Sequence, residues 1–326
     1  MINRIKLLAL FFICILNFSS CYSISQNKTS NNDNVTNIQA NTKQEVLTAT
    51  SINKKYVITH YKPNISKQIL WPDIYENKVV YANANSNTNE IRKIRILDID
   101  SLKESIIYTP ENDKKLVEDT RIGSEWVFWT ESEFGADIYS WEIKAYNIAD
   151  NKVYTLKKVQ DSSSTLVPRI DNDDNNLVWL ESYETENINV LRHSIYYFDF
   201  KFMAPIELAK INYVNNPYNI IHIRNNNVCY SDKKDDEWFI NVINIETKSK
   251  LTITATKSNE SNVGMACSDG NLIVWTEYKG NPNPDNIVYV YNIAQKAKDV
   301  ADIGIDFFDI TAGKIIYSKA GGFILL

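Results

Sequence analysis

An all-β fold made of repeated small sheets is the class that this 326-residue sequence predicts, and three observations carry it. The first is a recurring phrase: "EWVFWTE" at 125–131, "NLVWLE" at 176–181 and "NLIVWTE" at 271–277. The second is the spacing of the aromatic residue inside it. Tyr81, Trp129, Trp179, Tyr230, Trp275 and Tyr317 stand 48, 50, 51, 45 and 42 residues apart. The third is composition. Nineteen Tyr, 12 Phe and 7 Trp against 9 Gly favour strand over helix, because aromatic side chains suit a pleated, half-buried surface.

Each aromatic marker closes a strand-like run, such as "NKVVY" or "NNLVW". A shorter run precedes it ("ILWPDI", "TLVPRI"), and a third follows and ends on a polar residue: Asp98, Asn147, Asp199, Asn244 or Asn292. A short turn and a fourth run, such as "NKVYTLKK", complete the unit. Four strands every 42–51 residues predict a six-bladed β-propeller with four-stranded blades across 51–326. In "WVFW" successive side chains point to opposite faces of the strand, and both sets are large and apolar. Only a sheet covered on both faces wants that pattern, as a blade between two neighbours is. The sixth repeat supplies three runs up to Leu326, and "KKYVITHYK" at 54–62 resembles an outer strand. The expectation is that this N-terminal strand completes the last blade and removes its open edge.

The spacing and phrases such as "DGNLIVW" resemble the six-bladed TolB-like propellers and the related propellers of dipeptidyl- and oligopeptidases, over about 52–326. The resemblance implies architecture rather than activity. A peptidase of that wider family needs a hydrolase domain with G-x-S-x-G, and the sequence has no such motif. The WD40 and sialidase repeat patterns do not fit.

Ahead of the repeats, Arg4, Lys6 and the apolar run Leu7–Leu16 read as an export signal over 1–21, too short to span a bilayer. The small pair Ser19–Ser20 before Cys21 resembles a bacterial lipobox, which implies lipidation at Cys21. Residues 22–50 are polar and form an expected disordered tether of 29 residues, with an r.m.s. reach of roughly 30 Å. The expected location is therefore exported and membrane-anchored, on the cell surface or a periplasmic face. A net charge of −5 without clustered Lys and Arg argues against nucleic acid. Cys229 and Cys267, at apolar repeat positions, read as two buried thiols. The three histidines, His60, His193 and His222, form no metal or catalytic motif, and His60 and His193 read as solvated or hydrogen-bonded. No cofactor or metal is expected.

Two constellations are candidate sites. Glu131, Glu181 and Glu277 lie two residues after their Trp, with Asp232 at the matching place and Asn83 in the first repeat. They either ring one rim beside the long loops, to bind a cation, amine or basic peptide, or accept hydrogen bonds at their own strand ends. The second set lies on the innermost strand, one residue before its last apolar residue: Asp73, Arg121, Arg169, His222, Ala266 and Asp309. These would line the channel, with Arg121 and Arg169 either gripping a carboxylate ligand or pairing with Asp73 and Asp309. The resulting expectation is a monomeric, non-enzymatic lipoprotein whose propeller binds a protein partner, wall component or small ligand. The alternatives are a carbohydrate-active enzyme using rim carboxylates and a scaffold in an envelope complex.

Overall fold

A computed structural model describes residues 46–47, 58–59, 67–85, 92–134, 139–160, 167–184, 191–211, 221–257, 261–279, 285–303, 307–311, 314–319 and 322–325. The signal, Cys21 and residues 22–45 of the tether lie outside these residues, as do 135–138, 185–190 and 280–284 in the long loops after the marker strands of the second, third and fifth blades; Val46–Leu47, inside the expected tether, form a short strand.

The described residues form antiparallel sheets in chain order, as the repeat predicts. Blade one has Lys67–Tyr75, Lys78–Asn85, Lys93–Asp98 and Lys103–Tyr108. Blade two has Lys115–Ile122, Trp126–Phe134, Tyr139–Asn147 and Lys152–Val159. Blade three has Arg169–Asp173, Asn176–Glu184, Leu191–Asp199 and Ala204–Ile211. Blade four has His222–Arg224, Asn227–Lys234, Glu237–Asn244 and Lys250–Lys257. Blade five has Asn262–Ser268, Leu272–Lys279, Asp285–Asn292 and Ala297–Ile303. These five sheets have four strands each; the expected sixth blade is a three-stranded sheet of Phe307–Thr311, Lys314–Lys319 and Gly322–Leu325.

Among the described residues the last sheet has three strands, and of the expected completing run 54–62 only Ile58–Thr59 is described, paired with Val46–Leu47 in a separate two-stranded piece.

The core lies between blades, and the alternation of the marker strand explains it. Trp129 joins a cluster with blade-one residues Val80, Ala82 and Ile94, while its neighbour Phe128 packs with blade-three residues Ile170, Leu177 and Trp179. Tyr230 and Cys229 divide in the same way between blades three and five. In each case the marker faces the preceding blade and the residue before it faces the next. Trp129, Trp179 and Trp275 are fully enclosed. Burying an aromatic side chain of that size contributes on the order of 4–6 kcal/mol of transfer free energy.

The hairpins at the inner ends of the blades interlock too. Ser124 N–H donates to Asp174 Oδ1 at 2.7 Å, and Glu125 N–H donates to Asn175 Oδ1 at 3.1 Å. Gly123 permits this approach: a Cβ there would stand 2.1 Å from the Asp174 carbonyl oxygen. Since the obstacle is backbone, Gly123→Ala is expected to lower stability by about 1–3 kcal/mol in urea denaturation. An unchanged midpoint would show that the turn contact is dispensable.

Candidate functional site

The innermost strand of a blade has one paired edge and one edge facing the channel. N–H groups on that open edge need acceptors. Carboxylates from the preceding blade supply them: Asp73 Oδ2 accepts from Ile122 N–H (2.8 Å), Asp119 Oδ2 from Ile170 N–H (2.7 Å) and Asp171 Oδ2 from Ile223 N–H (3.0 Å). Asp119 reaches this place through a bulge in which Asp119 and Thr120 stand opposite Trp129 alone, with Asp119 in the left-handed region (φ 52°). Trp71 in blade one occupies the matching bulge (φ 52°). Extra residues of this kind re-aim a side chain.

Two guanidiniums tie the carboxylates together. Arg121 pairs with Asp119 at 2.8 Å and lies 3.6 Å from Asp171. Arg224 bridges Asp171 at 2.9 Å and Asp309 at 3.2 Å, joining blades three, four and six. His222 Nδ1 stands 3.5 Å from Asp171. Burial alone would raise the Asp171 carboxyl, but Arg224, His222 and Arg121 outweigh it and hold it well below the usual carboxylate range. At Asp73 burial outweighs the attraction of Arg121, and its carboxyl is raised.

Of the predicted channel residues, Asp73, Arg121, His222 and Asp309 occupy equivalent register positions, each opposite the residue before the marker. Arg169 and Ala266 do not. Asp171 and Cys267 hold those positions, because the last place on these strands is polar (Asn172 and Ser268), so counting back from the last apolar residue slips the register. Arg169 is exposed and lies over the Trp71 ring at 4.5 Å. Arg121 does not stand ready for a ligand carboxylate, since Asp119 already holds it. Sequence reasoning misses Asp171 for the same reason of register, Asp119 because a bulge places it, and Arg224 because it follows the last apolar residue of its strand.

The marker carboxylates do not form an open ring. Glu131 and Glu277 are each 2% exposed. Two residues after a Trp that faces the preceding blade, each Glu faces that blade as well. Glu131 accepts from Lys144 Nζ at 2.7 Å and from the Tyr108 hydroxyl of blade one. Burial opposes the Lys144 charge, but its bonds to Glu131 and Tyr108 outweigh this and hold the ammonium above its ordinary range. Glu277 accepts from Trp275 Nε1 (3.0 Å), Ser261 Oγ (3.1 Å) and Lys298 Nζ (3.2 Å), and Lys298 also donates to the Ala255 carbonyl of blade four. Glu181 is partly exposed, 3.8 Å from Lys157 of blade two, and Asp232 accepts from its neighbour Lys233 N–H. Asn83 is buried and accepts from Arg95 Nε at 2.9 Å.

His193 is buried and shares a 2.7 Å hydrogen bond with Ser182, which corrects the solvated alternative. Burial pushes it down to about 4. Cys229 and Cys267 are free, buried thiols. His60 lies outside the described residues.

An open concavity lies among the short turns of blades two, three and four. It is a groove of about 460 Å³ lined by Trp126, Tyr197 and Phe200, by the amides of Asn175, Asn176 and Asn226, and by acids of these turns. That volume is within the ordinary range for ligand clefts. Its aromatic floor is packed on itself: Phe200 lies 4.8 Å from Trp126 and 4.9 Å from Phe198 between ring centroids.

Scanned against protein-family models and against curated proteins, the sequence matches none. Solved structures do match. The β-propeller domain of the Trilobed protease from Pyrococcus furiosus superposes with a TM-score of 0.51 at 11% identity, over 77% of this chain and 76% of that one. An oligogalacturonate lyase in complex with manganese gives 0.51 at 11% identity, over 75% and 68%. TolB from Acinetobacter baumannii gives 0.42 at 13% identity, over 73% and 56%. At these identities the likeness to the first two shows the fold, an all-β propeller.

Removing one partner of the channel network leaves uncompensated charge, so Asp171→Asn is expected to cost about 3–5 kcal/mol in urea denaturation. Asp73→Asn is expected to be neutral or stabilising at pH 7, since an amide oxygen still accepts the Ile122 N–H and the ionised carboxyl is disfavoured there. Equal losses from both would contradict the network. For His193, a folded-state pKa below the unfolded one means stability present above about pH 6.5 is lost as pH falls toward 4. His193→Asn is expected to flatten that part of a pH–stability curve; an unaltered slope would place the titration elsewhere.

Proposed function

We propose that this protein is a non-enzymatic binding propeller, exported and anchored through a lipid at Cys21, that takes its ligand or partner in the groove on the short-turn face. One observation carries the reading. The channel charges and the two most buried marker carboxylates are held by partners within the fold, whereas the groove presents amides, carboxylates and half-buried aromatic rings to solvent. Such a mixture on a rigid ring suits recognition. The carbohydrate-active alternative required rim carboxylates as acid and base. Glu131 and Glu277, enclosed under Lys144 and Lys298, are poorly placed to meet a substrate. The envelope location rests on the basic start, apolar run and Ser-Ser-Cys of residues 1–21.

The test is a thermal-shift screen of the full-length chain against oligosaccharides, wall fragments and short peptides, beside a Glu125→Arg/Lys201→Glu variant. A stabilising ligand whose effect is lost in the variant is the expected result. A shift retained in the variant would move the site away from the groove, and chemical conversion of the ligand, seen by mass spectrometry, would overturn the non-enzymatic reading.

A further inference from the structure

We infer that the groove receives a peptide segment of a protein partner that carries both basic and large apolar side chains, docked against the outer turn of blade three. This rests on the binding reading above and names the occupant of that site.

The five described outer turns follow one plan. The Asp or Asn that ends the third strand accepts N–H bonds from the turn that follows: Asn147 from Ala149 and Asp150, Asp199 from Lys201 and Phe202, Asn244 from Glu246 and Thr247. Asp98 and Asn292 do the same for Ser101 and Gln295. Four residues after that cap the chain is left-handed in every case, at Leu102, Asn151, Met203, Lys248 and Lys296, with φ between 51° and 60°. The plan makes no demand for apolar side chains at its last two places. Blades two, four and five have Asp150–Asn151, Thr247–Lys248 and Gln295–Lys296 there, and blade one has a single apolar residue, in Ser101–Leu102, with Leu102 46% exposed.

Blade three has Phe202 and Met203 instead, 68% and 51% exposed, and Ile206 beyond them is 36% exposed. Met203 gains nothing from its left-handed backbone and neither side chain gains from water, so it is the pairing of two large apolar residues that sets this turn apart from the other four. Contiguous exposed apolar surface of this kind marks interaction sites, and Phe and Met are enriched in protein interfaces. The pair follows directly on Phe200 and Lys201, which line the groove.

The charge around it is complementary to a basic segment. Glu125 and Glu246, both exposed, stand on the turns of the blades either side of blade three, and with Asp199 they outnumber Lys201 in the groove wall. Lys248, over the Tyr197 ring, is turned onto the Ile245 carbonyl. A saccharide would want a free aromatic face, and the Trp126 and Phe200 rings already pack on one another, 4.8 Å apart at a 31° tilt. The exposed apolar groups are side chains that a peptide's own aromatic or aliphatic residues would cover.

The test measures fluorescence anisotropy of a labelled octapeptide of alternating lysine and phenylalanine, and of its glutamate counterpart, with the full-length chain. Two variants run beside the parent: Phe202→Ser/Met203→Asn and Glu125→Lys/Glu246→Lys, each with its melting temperature. The expected result is saturable binding of the basic peptide that weakens at least tenfold in both variants and falls with added salt. Equal binding of the acidic peptide, or binding untouched by either folded variant, would overturn the inference. So would chitohexaose binding that replaces peptide binding; that result would leave the groove a binding site but change its ligand class. A concentration-dependent dimer in sedimentation velocity, lost in the Phe202→Ser/Met203→Asn variant, would instead make a second copy the occupant. If neither peptide nor sugar binds and no dimer forms, both the inference and the binding reading at this groove fail.

Discussion

The open inner edge of each blade is the constraint on which the rest of this structure depends. A propeller brings its innermost strands to the axis, where one row of backbone N–H groups has no strand beside it. Left bare, each such group would cost free energy comparable to a lost hydrogen bond. Here Asp73, Asp119 and Asp171 accept from Ile122, Ile170 and Ile223 of the next blade. That arrangement satisfies the edge and joins consecutive blades with the same side chain. It also gathers acid at the axis, and Arg121 and Arg224 balance it. The charge network thus follows from edge capping.

The same economy governs the interfaces farther out. The two-residue alternation of the marker strand that puts Trp129, Trp179 and Trp275 against the preceding blade places a carboxylate in the same interface two residues later. Lysines from the third or outer strands, Lys144, Lys157 and Lys298, and the Tyr108 hydroxyl meet these acids. Breaking such a buried pair by removing one partner is costly, and the Tyr108 hydroxyl, Lys157 and the bond from Lys298 to the Ala255 carbonyl carry these contacts across to the preceding blade. With the axis and the interfaces so occupied, the proposed site falls on the short turns of blades two to four, where polar and apolar groups line an open groove.

Much of this fold is legible in the sequence because its strongest signals are periodic. The spacing of Tyr81, Trp129, Trp179, Tyr230 and Trp275 marks the five four-stranded sheets and their strand order, and the two-sided apolar pattern of "WVFW" reveals that such a sheet is covered on both faces. The polar residue ending the third strand is equally legible, since it caps a turn with a left-handed fourth place. The site is less so. Where a strand ends on Asn172 or Ser268 rather than an apolar residue, counting from the end misplaces the channel position, and Arg169 displaces Asp171. The bulge that turns Asp119 to the axis leaves no periodic trace. Strand likeness does not name a strand's partner: within 54–62 the described pair Ile58–Thr59 bonds Val46–Leu47. Phe202 and Met203 were present in the sequence as a departure from the other turns, but exposure, not residue type, gives that departure its meaning.

Native-state hydrogen exchange at the Ile122, Ile170 and Ile223 amides tests the central claim most directly. If carboxylates from the neighbouring blade cap these groups, the three amides exchange only through large-scale opening, at rates near those of the paired core strands. Exchange as fast as that of exposed turn amides would mean that the inner edge is open to water, and the axis would then need another account.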